Sequence, residues 1–241
     1  MPLPAVFSED SNVRIHADFQ RPACVAIAEQ AWVASPQAGV ERVMLDRVGE
    51  EKARATSLVR YAPRSEFPPH AHPGGEEILV LDGVFSADGE DFPAGTYLRN
   101  PPGSSHRPYS VEGARIFVKL WQMHPAQSAE VRVDTRDPRR WQTRAQGMVC
   151  PLYADAFERV CLLRLMPGQP VLDDAVEGAE MLVLEGELRW QGRRLAAGSW
   201  LRLPAGEHAE PIAGAEGACL YLKLGALGGP QPASTTSASD A

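Results

Sequence analysis

The sequence predicts an all-β protein built as two tandem β-barrels, and three observations carry that reading. First, a block of chain recurs. Glu77-Ile78-Leu79-Val80-Leu81-Asp82-Gly83 returns 103 positions later as Glu180-Met181-Leu182-Val183-Leu184-Glu185-Gly186. At the same offset Ala94-Gly95-Thr96-Tyr97-Leu98-Arg99-Asn100-Pro101-Pro102-Gly103 returns as Ala197-Gly198-Ser199-Trp200-Leu201-Arg202-Leu203-Pro204-Ala205-Gly206. Second, short strand-like runs are separated by turn residues, with no helical period between them. Third, glycine and proline each number 21 in 241 residues, so turns are frequent and long helices scarce.

The elements follow in chain order. Residues 1 to about 30 mix short apolar and polar pieces and are expected to add edge strands; His16, isolated among them, reads as a surface or hydrogen-bonded residue. Glu41–Asp46, Ala55–Tyr61, Val84–Ser86, Thr96–Arg99 and Arg115–Leu120 read as strands. Ile78-Leu79-Val80-Leu81 is a continuous apolar run, the pattern of a strand buried on both faces, and it stops at Asp82-Gly83. Trp32 and Trp141 open the two copies, and Glu112-Gly113-Ala114 and Lys119-Leu120 recur as Glu216-Gly217-Ala218 and Lys223-Leu224 after a one-residue slip. The expected division is 1–124 for a metal-binding domain, 125–227 for a degenerate second copy, and 228–241 for a small, polar, disordered tail.

Composition excludes several classes. A net charge of -7 argues against a nucleic-acid or anionic-membrane surface, and no apolar run approaches the roughly 18 residues of a membrane span. The opening residues lack the basic and apolar regions of a signal peptide, so a soluble cytoplasmic protein is expected. Cys24, Cys150, Cys161 and Cys219 form no Cys-x-x-Cys pair, and Cys161 and Cys219 read as buried free thiols.

The chemistry gathers in Pro68-Pro69-His70-Ala71-His72-Pro73-Gly74-Gly75-Glu76-Glu77 and in His106. Two histidines one residue apart share a face of a strand, and the Pro-Gly-Gly turn can fold a carboxylate back toward them. Three imidazoles and a carboxylate suit one divalent transition metal, with zinc, iron, manganese and nickel all served by such a set. The second copy acts as an internal control: what both copies keep is scaffold, and what one keeps is a candidate for chemistry. Gly83, Gly95, Arg99, Pro101 and Gly103 persist, and Arg99, repeated as Arg202, reads as a structural ion-pair residue. His70 falls opposite Asp173 or Asp174, His72 opposite Ala175 or Val176, Glu76 opposite Ala179, and His106 opposite Ala209. The second copy is therefore expected to be metal-free, with His208 and Asp173 or Asp174 left as an open question for a residual site. Because Glu77 is kept as Glu180 while Glu76 is lost, Glu76 is the expected ligand and Glu77 a strand-end or second-layer residue.

These residues resemble the cupin superfamily. Its first motif, His-x-His-x(3,4)-Glu-x6-Gly, is matched by His70, His72, Glu76 and Gly83, and its second, Gly-x5-Pro-x-Gly-x2-His, by Gly95, Pro101, Gly103 and His106. Arg64 stands where the motif has a glycine, and the asparagine often found after the last histidine is absent. More narrowly, residues 32–122 resemble the ChrR-type cupins, and 141–227 do so more weakly. The resemblance implies two tandem jelly-roll-like barrels and, by family habit, a homodimer. It also implies either a dioxygenase-like metalloenzyme on a small carbonyl or carboxylate compound, or a zinc-binding regulatory domain without catalysis. A barrel that binds a small molecule without chemistry is the third reading. The helical zinc module of the ChrR anti-sigma factor has no counterpart here, so a sigma-factor partner is implied by resemblance alone.

Overall fold

The reason the two apolar runs tolerate no polar residue is visible in how the strands stack. The computed structural model describes residues 13–50, 53–145, 147–172, 175–206 and 210–227. The first half contributes β1 (Arg14–Ile15), β2 (Ala23–Val25), β3 (Val33–Ala34), β4 (Val40–Val48), β5 (Arg54–Tyr61), β6 (Ser65–Glu66) and β7 (His70–His72). It continues with β8 (Glu76–Ala87), β9 (Glu90–Pro93), β10 (Thr96–Asn100), β11 (Ser104–His106), β12 (Pro108–Ser110) and β13 (Ala114–Leu120). The second half holds β14 (Val131–Asp134), β15 (Gln142–Arg144), β16 (Gly147–Ala154) and β17 (Glu158–Leu165). It ends with β18 (Ala179–Trp190), β19 (Arg193–Ala196), β20 (Trp200–Leu203) and β21 (Ile212–Gly225).

Two antiparallel sheets repeat one order, β4-β5-β13-β8-β10 in the first and β16-β17-β21-β18-β20 in the second. They pack face to face, and parity along each strand sorts the side chains. On β8, Ile78 and Val80 face the interior of the first barrel, while Leu79 and Leu81 face the second sheet. On β18, Met181 and Val183 fill the second barrel and Leu182 and Leu184 face the first. A strand with a core on either side reads as a continuous apolar run. Leu45, Leu58 and Phe117 meet Leu152, Leu162, Trp200 and Tyr221 in the shared core.

The sheets also exchange edge strands. Val131–Asp134, from beyond residue 124, pairs with β10 (Tyr97 opposite Val133), and Ala23–Val25, from the first domain of the expected division, pairs with β20 (Val25 opposite Trp200). An early strand of each copy, β2 and β14, thus completes the other copy's sheet. Trp32 and Trp141 then pack on the shared core, under Arg60 and Arg164 at 4.5 and 4.6 Å.

The turn residues kept by both copies have a backbone cause. Gly83 and Gly186 have φ of 68° and 70°, and a Cβ on either would strike the carbonyl oxygen of Gly113 or Gly217. Arg64, standing where the cupin motif has glycine, also takes a left-handed φ of 63°, a conformation that costs a non-glycine residue about 1–2 kcal/mol. All four cysteines are free thiols. No helix among the described residues is long and apolar enough to cross a membrane.

Candidate metal centre

The site is built at the open end of the first barrel. The ribbon β7–β11 sets His106 opposite His70 and Ser104 opposite His72, so pleat alternation sends all three imidazoles to one side. Beyond the Pro73-Gly74-Gly75 turn the chain re-enters the sheet at Glu76, which pairs with Asn100 on β10 and Leu120 on β13. Glu76 shares the parity of Ile78 and Val80, so its carboxylate enters the barrel.

His70, His72, Glu76 and His106 each present one ligand atom, and these atoms lie within 4.8 Å of one another. The Nε2 atoms of His72 and His106 each lie 3.5 Å from Glu76 Oε2, too long for a hydrogen bond. Both nitrogens are buried and have no hydrogen-bond partner. Ligands of a single ion at about 2.1 Å from it stand roughly 3.0–3.5 Å apart, so the spacing suits a cation between these atoms. His70 Nδ1 lies 2.9 Å from the Pro68 carbonyl, which fixes the proton there and leaves Nε2 as the free lone pair.

Electrostatics favour the same use. Burial pushes the His72 imidazole down to about 3, with His106 and His70 adding to the shift, and burial and His70 bring His106 down to about 4. Both rings are therefore neutral near pH 7, the form that can bind a metal. Burial raises Glu76 to about 7, against the opposing pull of the Asn100 hydrogen bond and Arg132. An isolated buried carboxylate is unfavourable as an anion, and a cation beside it removes that cost.

Two residues that hold Glu76 were not singled out from the sequence. Asn100 donates Nδ2–H to Glu76 Oε2 at 2.9 Å, and Arg132 Nη2 donates to Asn100 Oδ1 at 2.8 Å. Asn100 was within reach of the internal comparison, since the second copy has Leu203 there. Arg132 was not, because it arrives on the exchanged strand β14.

Glu77 stands apart from this site, contrary to a place behind Glu76. It is the second residue of β8, and the opposite parity turns it to the inter-sheet face. There it accepts from Lys223 Nζ at 2.8 Å and from the Tyr221 hydroxyl, and it pairs with Arg99 at 3.3 Å. Arg99 also pairs with Glu158 at 2.5 Å, and its repeat Arg202 pairs with Asp46 at 3.0 Å.

In the second copy Ala179 occupies the Glu76 position, fully buried, and Met181, Leu188, Trp190 and Leu203 fill the barrel. Asp173, Asp174, His208 and Ala209 lie outside the described residues, as does the 228–241 tail. Among the described residues the cluster of the first barrel is the metal-ligating group found.

Comparison with known proteins places this architecture. Residues 20–124 match the family described as ChrR Cupin-like domain. No curated protein matches the chain. Among solved structures, a candidate dioxygenase from Nostoc punctiforme is similar at a TM-score of 0.69 and 17% identity, covering 85% of this chain and 82% of its own. The Pseudomonas aeruginosa protein described as glyoxylate-induced is similar at 0.64 and 16% identity, covering 94% and 95%. The Escherichia coli pirin YhhW, solved in complex with nickel(II), is similar at 0.63 and 13% identity, covering 85% and 98%. The TM-scores establish a shared fold and, at such identities, the fold alone. Residues 20–124 thus match the ChrR Cupin-like domain model, within an all-β chain that has the two-barrel cupin fold.

Proposed function

We propose that the first barrel binds one divalent transition metal through His70, His72, Glu76 and His106. We propose further that the protein is a dioxygenase-like metalloenzyme acting on a small carbonyl or carboxylate compound. The observation that carries the metal is the pair of buried, unpartnered Nε2 atoms on His72 and His106 facing one Glu76 oxygen. The observation that favours chemistry over a purely structural ion is the cavity beside them. It measures about 290 Å³, and His70, His72 and Glu76 form one wall while Val59, Ile116 and Val118 form the others. A closed structural zinc site needs no such space.

A bound metal would supply Lewis-acid or redox chemistry at that wall. The chain's own residues do the rest. Asn100 and Arg132 hold the Glu76 carboxylate in place, and Pro68 sets the His70 tautomer. The likeness to a candidate dioxygenase and to a nickel-bound pirin supports the reading at the level of fold.

Metal analysis of protein purified without added metal tests it, together with X-ray absorption on the same sample. One iron, manganese or nickel per chain, with at least one water-derived oxygen in its coordination sphere, is the expected result. One zinc held by four protein atoms would instead support a regulatory or structural domain, and a metal content unchanged by His72→Ala would dismiss the site.

A further inference from the structure

Arg42 lies on β4 opposite Val59 of β5, and both line the cavity beside the metal centre. Its neighbour Glu41 points outward and pairs with Arg60 at 2.6 Å. Arg47 also reaches the cavity, but its Nε donates to the Gly49 carbonyl at 3.0 Å and its Nη2 to that of Glu50. Arg42 has no such engagement. Its Nε is buried without a hydrogen-bond partner, and no hydrogen bond, ion pair or ring stack reaches its guanidinium from the described residues. Arg42 is partly buried, with Val40, Val59, Ile116 and Val118 lining the same cavity, and a guanidinium that no protein group engages is free to take an anion there.

The internal repeat isolates the feature. Val59 and Leu163 face Ile116 and Leu220 in matching registers, and Arg42 faces Val59 as Val149 faces Leu163. The position therefore holds arginine in the barrel with the ligand cluster and valine in its sister. Glu76 and Asn100 are replaced there in the same way, by Ala179 and Leu203.

We propose that Arg42 binds the carboxylate of a small organic acid that occupies this cavity. Arginine's planar fork matches a carboxylate's two oxygens, and the apolar walls suit a carbon body rather than an inorganic ion. At about 290 Å³, roughly twice the space that holds a benzene ring, the cavity restricts that body to about a dozen non-hydrogen atoms, with its far end toward His70, His72 and Glu76. The inference rests on the metalloenzyme reading only for what happens at that far end, since the Arg42–carboxylate contact needs no metal.

The test uses the whole protein, metal-free and iron(II)-loaded, with affinities read by ligand-observed NMR. Acetate, pyruvate and benzoate are compared with their uncharged counterparts acetamide, butane-2,3-dione and benzamide, and with inorganic phosphate. At least one carboxylate should bind about 10- to 100-fold more tightly than its counterpart. Arg42→Met should abolish that preference and Arg42→Lys keep part of it. Because Arg42→Met removes a partly buried charge that no protein group engages, its melting temperature should stay level or rise, and its metal content should match the parent protein. The proposal is overturned if no carboxylate is preferred, if the preference survives Arg42→Met, or if phosphate binds as tightly as the best carboxylate. A protein that never takes up metal yet keeps an Arg42-dependent preference would sink the metalloenzyme reading alone.

Discussion

Lys223 Nζ of the second barrel lies 2.8 Å from Glu77 Oε2 of the first, and Lys119 of the first barrel pairs with Glu180 of the second. Each barrel thus lends a lysine to the other's carboxylate, and all four residues are buried. The pairs are repeat-related, since Glu77 and Glu180 are the second residues of matching strands and Lys119 and Lys223 lie on matching neighbours β13 and β21. Trp200 Nε1 adds a bond to Glu180 at 2.7 Å where Tyr221 serves Glu77. The two sheets are thus tied together by buried ion pairs that cross between them, beside the pairs Arg99–Glu77 and Lys223–Glu158 within each sheet.

Removing one partner leaves the other charged in a dry interface. Lys223→Met should destabilise the protein by about 3–5 kcal/mol. The double variant Glu77→Leu with Lys223→Met should recover much of that loss. Urea unfolding of the two variants checks this, and equal midpoints for single and double variants would contradict it.

The same pair predicts an acid transition. Burial alone would raise the Glu77 carboxyl above its ordinary 4.5, but the charges of Lys223, Arg99 and Lys119 outweigh burial and hold it down to about 2. A carboxyl depressed in the folded state is protonated first in the unfolded chain. Its stabilisation is therefore complete above about pH 4.5 and drains as pH falls toward 2. Unfolding free energy followed across that window should fall less steeply in Glu77→Gln than in the parent.

Glu76 depends on Asn100 for its orientation. Replacing Asn100 with Leu, the residue of the second copy, should weaken metal affinity about 10- to 100-fold while leaving the fold intact. Calorimetric titration with zinc or iron(II) reads the change, and His72→Ala provides the complete loss against which it is scaled.

The exchanged strands predict how the chain can be cut. A fragment of residues 1–124 lacks β14, so the β10 edge is bare and Arg132 is missing from behind Asn100. It also exposes Glu77 without Lys223 and Lys119 without Glu180, together with the apolar face around Leu79 and Phe117. Such an edge beside such a face aggregates. Size-exclusion chromatography should find the fragment in aggregates and the intact chain in solution.

Local pattern carried much of this protein into view. Turn residues and period-two runs determined the all-β class, and a repeat at one offset determined two sister domains, because both features depend on near neighbours along the chain. The repeat also separated Glu76 from Glu77, since a residue kept in both copies answers to the architecture they share. What that shared demand was lay out of reach: Glu77 and Glu180 are kept for Lys223 and Lys119, more than fifty residues away in each case. Only the folded chain shows that Arg132 crosses to the first sheet and that Arg42 turns into the cup without a partner. Parity along a strand is written locally, but which core each face meets is decided by the packing of two sheets.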